Sequence, residues 1–255
     1  MSRGLRLALS WLTILPVGTP ATVDRVMARQ ALYWAPVVGA GLGVLTAGLL
    51  SALHAVGAPS LLAGLVGVAA LAGLTRGMHL DGLADTADGL GCHGEPQRAL
   101  EVMRQGASGP FGVVALVLAM TTQAAALGAL TETDRLIPVV LAMAAGRTAF
   151  GWCARRRVPA ARPTGLGALV AGTQPPAVPL TWSVVLLAGG LVAVPGRPWQ
   201  GPLALGLAAL GVLALSAHTR RRFGGVTGDV LGAASELTTT VVLAVCALGV
   251  SHSAG

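Results

Sequence analysis

Three aspartates, Asp81, Asp85 and Asp88, fall within eight residues of the segment HLDGLADTADG (79–89). The chain carries only ten acidic residues, and five of them lie between Asp81 and Glu101. Spacings of four and three place these carboxylates within about 60° of one another on a helix. Such a stripe repels itself and resists burial, and a divalent cation relieves both problems. Oxygen-only ligands suit Mg²⁺ or Mn²⁺, with phosphate and water completing the shell. Gly82 and Gly89 give a phosphate room to approach the backbone. The plainer reading is a solvated helix end, but such a face would mix Lys with its Asp, and this one directly follows the apolar run 60–75. On a regular helix His79 points about 160° away from Asp81. It joins the site only if the helix unwinds near Gly77 or Gly82, and otherwise bonds backbone at an interface.

A second acidic segment, FGGVTGDVLGAASELTTT, covers 223–240. Gly224, Gly225 and Gly228 make a loop, Asp229 opens the last apolar run, and Glu236 and Thr240 share its helical face. A carboxylate inside a membrane span is costly and usually functional; the alternative for Glu236 is a buried contact to a neighbouring helix. Asp229 could instead serve only the helix N-terminus. Among the basic groups, Arg76 precedes the Asp stripe, Arg104 follows it, and Arg147 sits inside an apolar run, where an unpaired cation is expensive. RRRVPAARPTGLG (155–167) is a basic loop with two further glycines. Carboxylates for a metal, with arginines and glycines for phosphate, suggest phosphoryl or nucleotidyl-linked transfer, in which a metal bridges phosphate oxygens and offsets leaving-group charge.

The elements that must position these groups are membrane helices. The 255 residues are 54% hydrophobic and 11% charged, with a mean hydropathy of +0.73. Soluble domains carry about 25% charged residues. The apolar runs are continuous rather than alternating, which excludes a porin-like barrel, and the 36 glycines are of the kind that lets membrane helices approach closely. The expected fold is all-α, a single polytopic domain over 1–255 with seven spans at 31–53, 58–75, 110–130, 135–153, 179–195, 201–218 and 231–250. The 5–17 run is too short to span and reads as interfacial or re-entrant. Despite its Arg-rich start it lacks a signal-peptide cleavage site. Cys92, Cys153 and Cys246 form neither a disulfide framework nor a zinc motif.

The net charge is +7, and all 17 basic residues are arginine. A nucleic-acid binder would gather them on a soluble face; here they flank apolar runs, so nucleic acid is not an expected partner and membrane lipid is. With seven spans, 14 arginines fall on the N-terminal side, two on the other, and Arg147 within a span. That asymmetry places the N-terminus, and the long loops 76–109, 154–178 and 219–230 with it, in the cytoplasm. Arg155–Arg157 and Arg220–Arg222 are accounted for as topogenic. The expected location is the bacterial or archaeal cytoplasmic membrane, with the active site on its cytoplasmic face. A homo-oligomer is compatible with the sequence.

RGMHLDGLADTADGLG (76–91) closely resembles the signature of cobalamin-5′-phosphate synthases, also called adenosylcobinamide-GDP ribazoletransferases. WLTILPVG (11–18), ARPTGLG (161–167) and GGVTGDVLGAASEL (224–237) agree, so the resemblance runs from end to end. It implies a late step of cobalamin biosynthesis: Mg²⁺-dependent joining of adenosylcobinamide-GDP to α-ribazole or α-ribazole 5′-phosphate, with release of GMP. It implies that Asp81, Asp85, Asp88 and Asp229 hold metal against the pyrophosphate. Glu236 and His79 then complete the catalytic set, and Arg76, Arg104, Arg147, Gly225 and Gly228 bind substrate phosphate. One departure is Gln105–Gly106, where many relatives carry Asp and Ser or Pro; Gln105 is given no role.

Two rivals differ in class. A CDP-alcohol phosphotransferase also uses spaced aspartates, but its A-R and later Asp pair are missing here. A proton- or metal-coupled transporter could use Glu236 and Arg147, yet it needs both membrane faces, and the polar loops here concentrate on one. A structural scaffold would have no use for the Asp stripe. Cysteine reporters placed in the 76–109 and 219–230 loops are expected to be shielded from impermeant reagent in intact cells. Labelling of either one from outside would overturn the shared-face topology.

Overall fold

The computed structural model describes residues 1–18 and 21–249. Among the described residues there are eleven helices and no strand beyond two isolated bridges, Arg155 with Gln174 and Ala160 with Val226. Each expected span is a helix: α2 (Arg25–Ala55), α3 (Ser60–Leu74), α6 (Pro110–Glu132), α7 (Ile137–Cys153), α9 (Ala177–Ala193), α10 (Gln200–Phe223) and α11 (Gly228–Ala247). Val250, the last residue of the seventh expected span, lies outside the described residues. The remaining helices are α1 (Arg3–Leu12), α4 (Met78–Gly91), α5 (Pro96–Val102) and α8 (Leu166–Val170).

Four of the seven, α2, α6, α10 and α11, are long and apolar enough to cross a membrane alone. The helices α3 and α4 qualify only together, across a bend of 92°. At 17 residues α7 and α9 are shorter, about 25 Å at 1.5 Å per residue. By length and composition, four or five of the expected spans thus qualify. The short α7 is the central helix, with almost every residue buried, so its neighbours α2, α9 and α11 shield it.

The helix ends follow local chemistry. Asp24 caps α2 by accepting from the Met27 amide at 2.7 Å, which starts that helix six residues before the expected span. Thr227 caps α11 in the same way through Val230. Helix α10 runs past its apolar stretch to Phe223 and stops at Gly224, whose φ of +80° is left-handed, a conformation glycine adopts without strain. Helix α1 is amphipathic and buries Gly4, Leu7, Ala8 and Leu12, mainly against α2.

Large aliphatic side chains face outward: Val44 and Leu45 on α2, Val117 and Leu118 on α6, Val184 and Leu191 on α9, Leu210 on α10. Buried polar groups gather inside, among them Gln123, Arg147, Ser235, Glu236 and Thr239. This outward-apolar pattern fits lipid as the solvent. Small residues bring the helices together. A Cβ on Gly39 would run into the Met143 carbonyl of α7, and one on Gly64 into the Ala124 carbonyl of α6.

These contacts set a sign. Gly→Ala in an open helical position favours the helix by up to about 1 kcal/mol, whereas forcing atoms into a packed contact costs about 1–3 kcal/mol. Gly64→Ala is therefore expected to lower stability, and Gly48→Ala, which faces open space, to leave it unchanged or raise it. Thermal unfolding of the detergent-purified variants distinguishes the two; melting in the opposite order would refute the packing.

Candidate active site

The Asp stripe begins just after the 92° bend between α3 and α4. Arg76 and Gly77 both take left-handed backbone, with φ of +57° and +65°. This pair turns α3 into α4, and Gly77 is the residue preceding α4. The Arg76 guanidinium reaches back to α1, donating from Nη2 to the carbonyls of Ser10 (3.1 Å) and Trp11 (3.2 Å). Helix α4 has 14 residues, about 21 Å, and lies off the α3 span.

Helix α4 then crosses α11 at two glycines. A Cβ on Gly82 would fall 2.7 Å from the Asp229 carbonyl oxygen and 3.2 Å from the Gly232 Cα. A Cβ on Gly232 would fall 3.2 Å from the His79 backbone. Backbone against backbone at this point sets Asp81 and Asp85 beside Asp229. Burial pushes the Asp85 carboxyl up to about 6, and the charges of Asp81, Asp229 and Asp88 add to the shift, with Arg162 opposing them. The two acidic segments, far apart in sequence, therefore form one electrostatic site.

The stripe is graded in depth. Asp81 is exposed, Asp85 half-buried and Asp88 buried. Asp88 accepts hydrogen bonds from the Gly109 amide (2.6 Å) and the Gly112 amide (2.9 Å), at the start of α6. It caps that helix, and both its oxygens are engaged there.

A cavity of about 550 Å³ opens beside the crossing. Arg76, His79, Asp81, Gly228 and Asp229 line it together with Trp11, Phe150 and Gly165. His79 reaches it without any unwinding of α4, because the cavity wraps the first turn of that helix. The imidazole is buried, and its Nδ1 lies 3.3 Å from Arg147 Nη2.

Other expected residues lie elsewhere. Arg147 borders a separate void of about 20 Å³ with Glu236 and Gln123. Glu236 Oε2 accepts from Gln123 Nε2 at 2.7 Å, and the same amide donates to Thr240 Oγ1 at 2.9 Å. Gly225 packs against the 159–161 loop, and the next residue, Val226, donates its amide to the Pro159 carbonyl (2.9 Å) and accepts from the Ala161 amide (3.0 Å). Arg104 is exposed in the α5–α6 connection and does not line the cavity.

Sequence reasoning passed over Arg162. Its Nη1 lies 3.4 Å from Asp229 Oδ2, and its Nη2 donates to the Leu100 carbonyl at 2.9 Å. It brings a cation to the acidic site and ties the 154–165 loop to α5. The signal was the ARPTGLG stretch, in which Gly165 also takes φ +88° and lines the cavity. Gln123, a lone amide within a long apolar run, was the other visible clue.

Comparison with known proteins now adds to this geometry. The family model for cobalamin-5-phosphate synthase matches residues 4–247. The chain belongs to that family. It is 44% identical over 239 residues to a Nocardioides protein named adenosylcobinamide-GDP ribazoletransferase, covering 93% of this chain and 95% of that one. A Corynebacterium efficiens protein of the same name is 36% identical over 260 residues, covering 100% of this chain and 94% of its own. A Frankia casuarinae protein, also so named, is 36% identical over 261 residues, covering 95% and 94%. No solved structure matches the chain. The family's match spans the Arg76–Gly77 bend, the Asp stripe and the α11 acids alike.

The capping geometry separates Asp88 from its neighbours. A hydrogen bond to a charged group contributes about 1.5–3 kcal/mol, so Asp88→Ala is expected to destabilise the protein by about 3 kcal/mol. Asp88→Asn retains one acceptor oxygen and should lose roughly half of that. Asp81→Asn, at an exposed position, should stay within about 0.5 kcal/mol of wild type. Denaturant or thermal melts of the three variants give the comparison, and equal stability for all three would remove Asp88 from the cap.

Proposed function

We propose that the α4–α11 crossing is the catalytic centre of an adenosylcobinamide-GDP ribazoletransferase, the chain being by family a transferase. The observation that carries this is the convergence of Asp85 and Arg162 on Asp81 and Asp229, which line one cavity with Arg76, in a chain of this family. A hydroxyl of α-ribazole, or of α-ribazole 5′-phosphate, attacks the cobinamide-side phosphorus of adenosylcobinamide-GDP. The new O–P bond replaces the pyrophosphate P–O bond, the hydroxyl gives up its proton, and GMP leaves.

The acidic residues fit a magnesium requirement. Among the described residues no three His, Cys, Asp or Glu side chains form a ready-made metal cluster. Mg²⁺ does not demand one, since one or two carboxylates plus substrate phosphates suffice. Asp81, Asp85 and Asp229 would hold it, and the mutual repulsion felt at Asp85 is the strain a cation relieves. When bound, the metal neutralises charge on the bridging phosphate oxygens. Asp88 supports this set by fixing α6 rather than by ligation.

The protein's own groups do the rest. Arg76 borders the cavity and Arg162 sits beside Asp229, and guanidinium forks match phosphate oxygens. Gly228 leaves the start of α11 bare, so an anionic group can approach its N-terminal amides. The glycine crossing holds the carboxylates in place before substrate arrives, which lowers the reorganisation needed during reaction. The arginine distribution of the sequence supports a site on the cytoplasmic face.

Asp81→Asn, Asp85→Asn and Asp229→Asn should each slow GMP release by about 10²–10³-fold, the scale of losing a group that acts mainly in the transition state. Stabilisation of the fold by Mg²⁺, read from thermal melts, should weaken in parallel. Near-normal turnover in all three, with unchanged Mg²⁺ stabilisation, would rule out this centre.

A further inference from the structure

The cavity lining is of two kinds: Asp81, Asp229 and Arg76 bring charge, while Trp11, Leu32, Phe150 and Leu169 supply apolar wall. Binding cavities for small molecules combine such a wall with a few placed polar groups and enclose about 300–1,000 Å³. At about 550 Å³ the space takes a heteroaromatic nucleoside, whereas a corrinoid with its nucleotide arm is far too large for it.

His79 adds a second, independent observation. The side chain is 3% exposed, and its Nε2 has no hydrogen-bond partner among the described residues. Its other nitrogen faces Arg147 Nη2. Guanidinium is only a donor, so Nδ1 must accept, and the neutral imidazole then carries its proton on Nε2. A buried donor without a partner is costly, and this one belongs to a residue that lines the cavity.

We infer that this cavity is the subsite for the ribazole base, with the apolar wall enclosing the ring and His79 Nε2–H donating to its free ring nitrogen. This rests on the transferase reading above and adds to it a residue that selects the substrate. Arg147 acts through His79 as a positioning residue, fixing the tautomer from within the helix bundle. The ribose end then points to the carboxylates at the crossing.

The test uses full-length protein in detergent and measures binding of two nucleosides by calorimetry. One is α-ribazole; the other is its analogue with the free ring nitrogen replaced by C–H. Wild type should bind α-ribazole at least tenfold more tightly. His79→Asn keeps an acceptor near the Nδ1 position but withdraws Nε2, and should bind the two within twofold of each other. Leu169→Trp, which fills the apolar wall, should weaken both nucleosides by more than tenfold while affinity for adenosylcobinamide-GDP changes less than twofold. Equal binding of the two nucleosides by wild type overturns the inference without any variant. So does discrimination that survives in His79→Asn, or a Leu169→Trp effect that falls on adenosylcobinamide-GDP. GMP release by wild type separates the two levels: its absence defeats the transferase reading, whereas release without nucleoside discrimination defeats only the base subsite.

Discussion

The site depends on one approach, that of α4 to α11 at Gly82 and Gly232. A side chain at either position would meet backbone, so the two helices can touch only where both lack a Cβ. Three carboxylates would not choose this proximity. Their repulsion is held in check by packing and by capping at the far end of the same helix, where Asp88 binds α6. The Arg76–Gly77 bend delivers α4 to the crossing, and Arg76 fastens that bend to α1. Remove the glycine contact and the acidic residues separate; keep it, and negative charge accumulates beside the cavity.

The arginines have a second function that topology counting does not reveal. Arg25 donates to the carbonyls of Ala168 and Ala171, Arg155 to that of Trp152, and Arg222 to that of Cys92. Irregular backbone near a membrane must find partners, because unsatisfied amides and carbonyls are expensive there. Each guanidinium offers several donors on a long arm, so one side chain can hold a loop that has no ladder of its own. These arginines therefore also hold together the loops and helix ends that they reach.

The helices were legible because lipid leaves a simple pattern, continuous apolar runs ended by polar caps. The limits of α2 and α10 were less so, since Asp24 and Gly224 set them outside the hydrophobic stretch. The pairing of the two acidic segments was expected from the arginine asymmetry of the sequence, and the structure brings Asp81 and Asp85 close to Asp229. Depth was illegible. Asp81, Asp85 and Asp88 are equivalent by spacing, yet the tilt of α4 exposes one and buries another. His79 was misjudged for a related reason: helical angles describe a helix, while a cavity at the helix end can touch opposite faces of its first turn. Arg162 was lost among arginines that all served equally well as topogenic charge.

The intramembrane polar groups make sense in this setting without transport. Among the described residues Arg147 makes no direct ion pair, and Glu236 binds Gln123 and not a cation. A permeation path would need polar space extending through the bundle, but the void these groups share is only about 20 Å³. Their contacts run sideways instead: Gln123 joins α6 to α11, and Arg147 joins α7 to α4. Polar contacts between helices in lipid contribute modestly, about 0.6 kcal/mol on average, but their geometry is directional where apolar packing is not. The network thus fixes the rotation of α4 and α11 beneath the crossing. The charges buried in the bundle and those exposed at its face then form one construction, in which the lower layer orients the side chains that the upper layer presents to the cavity.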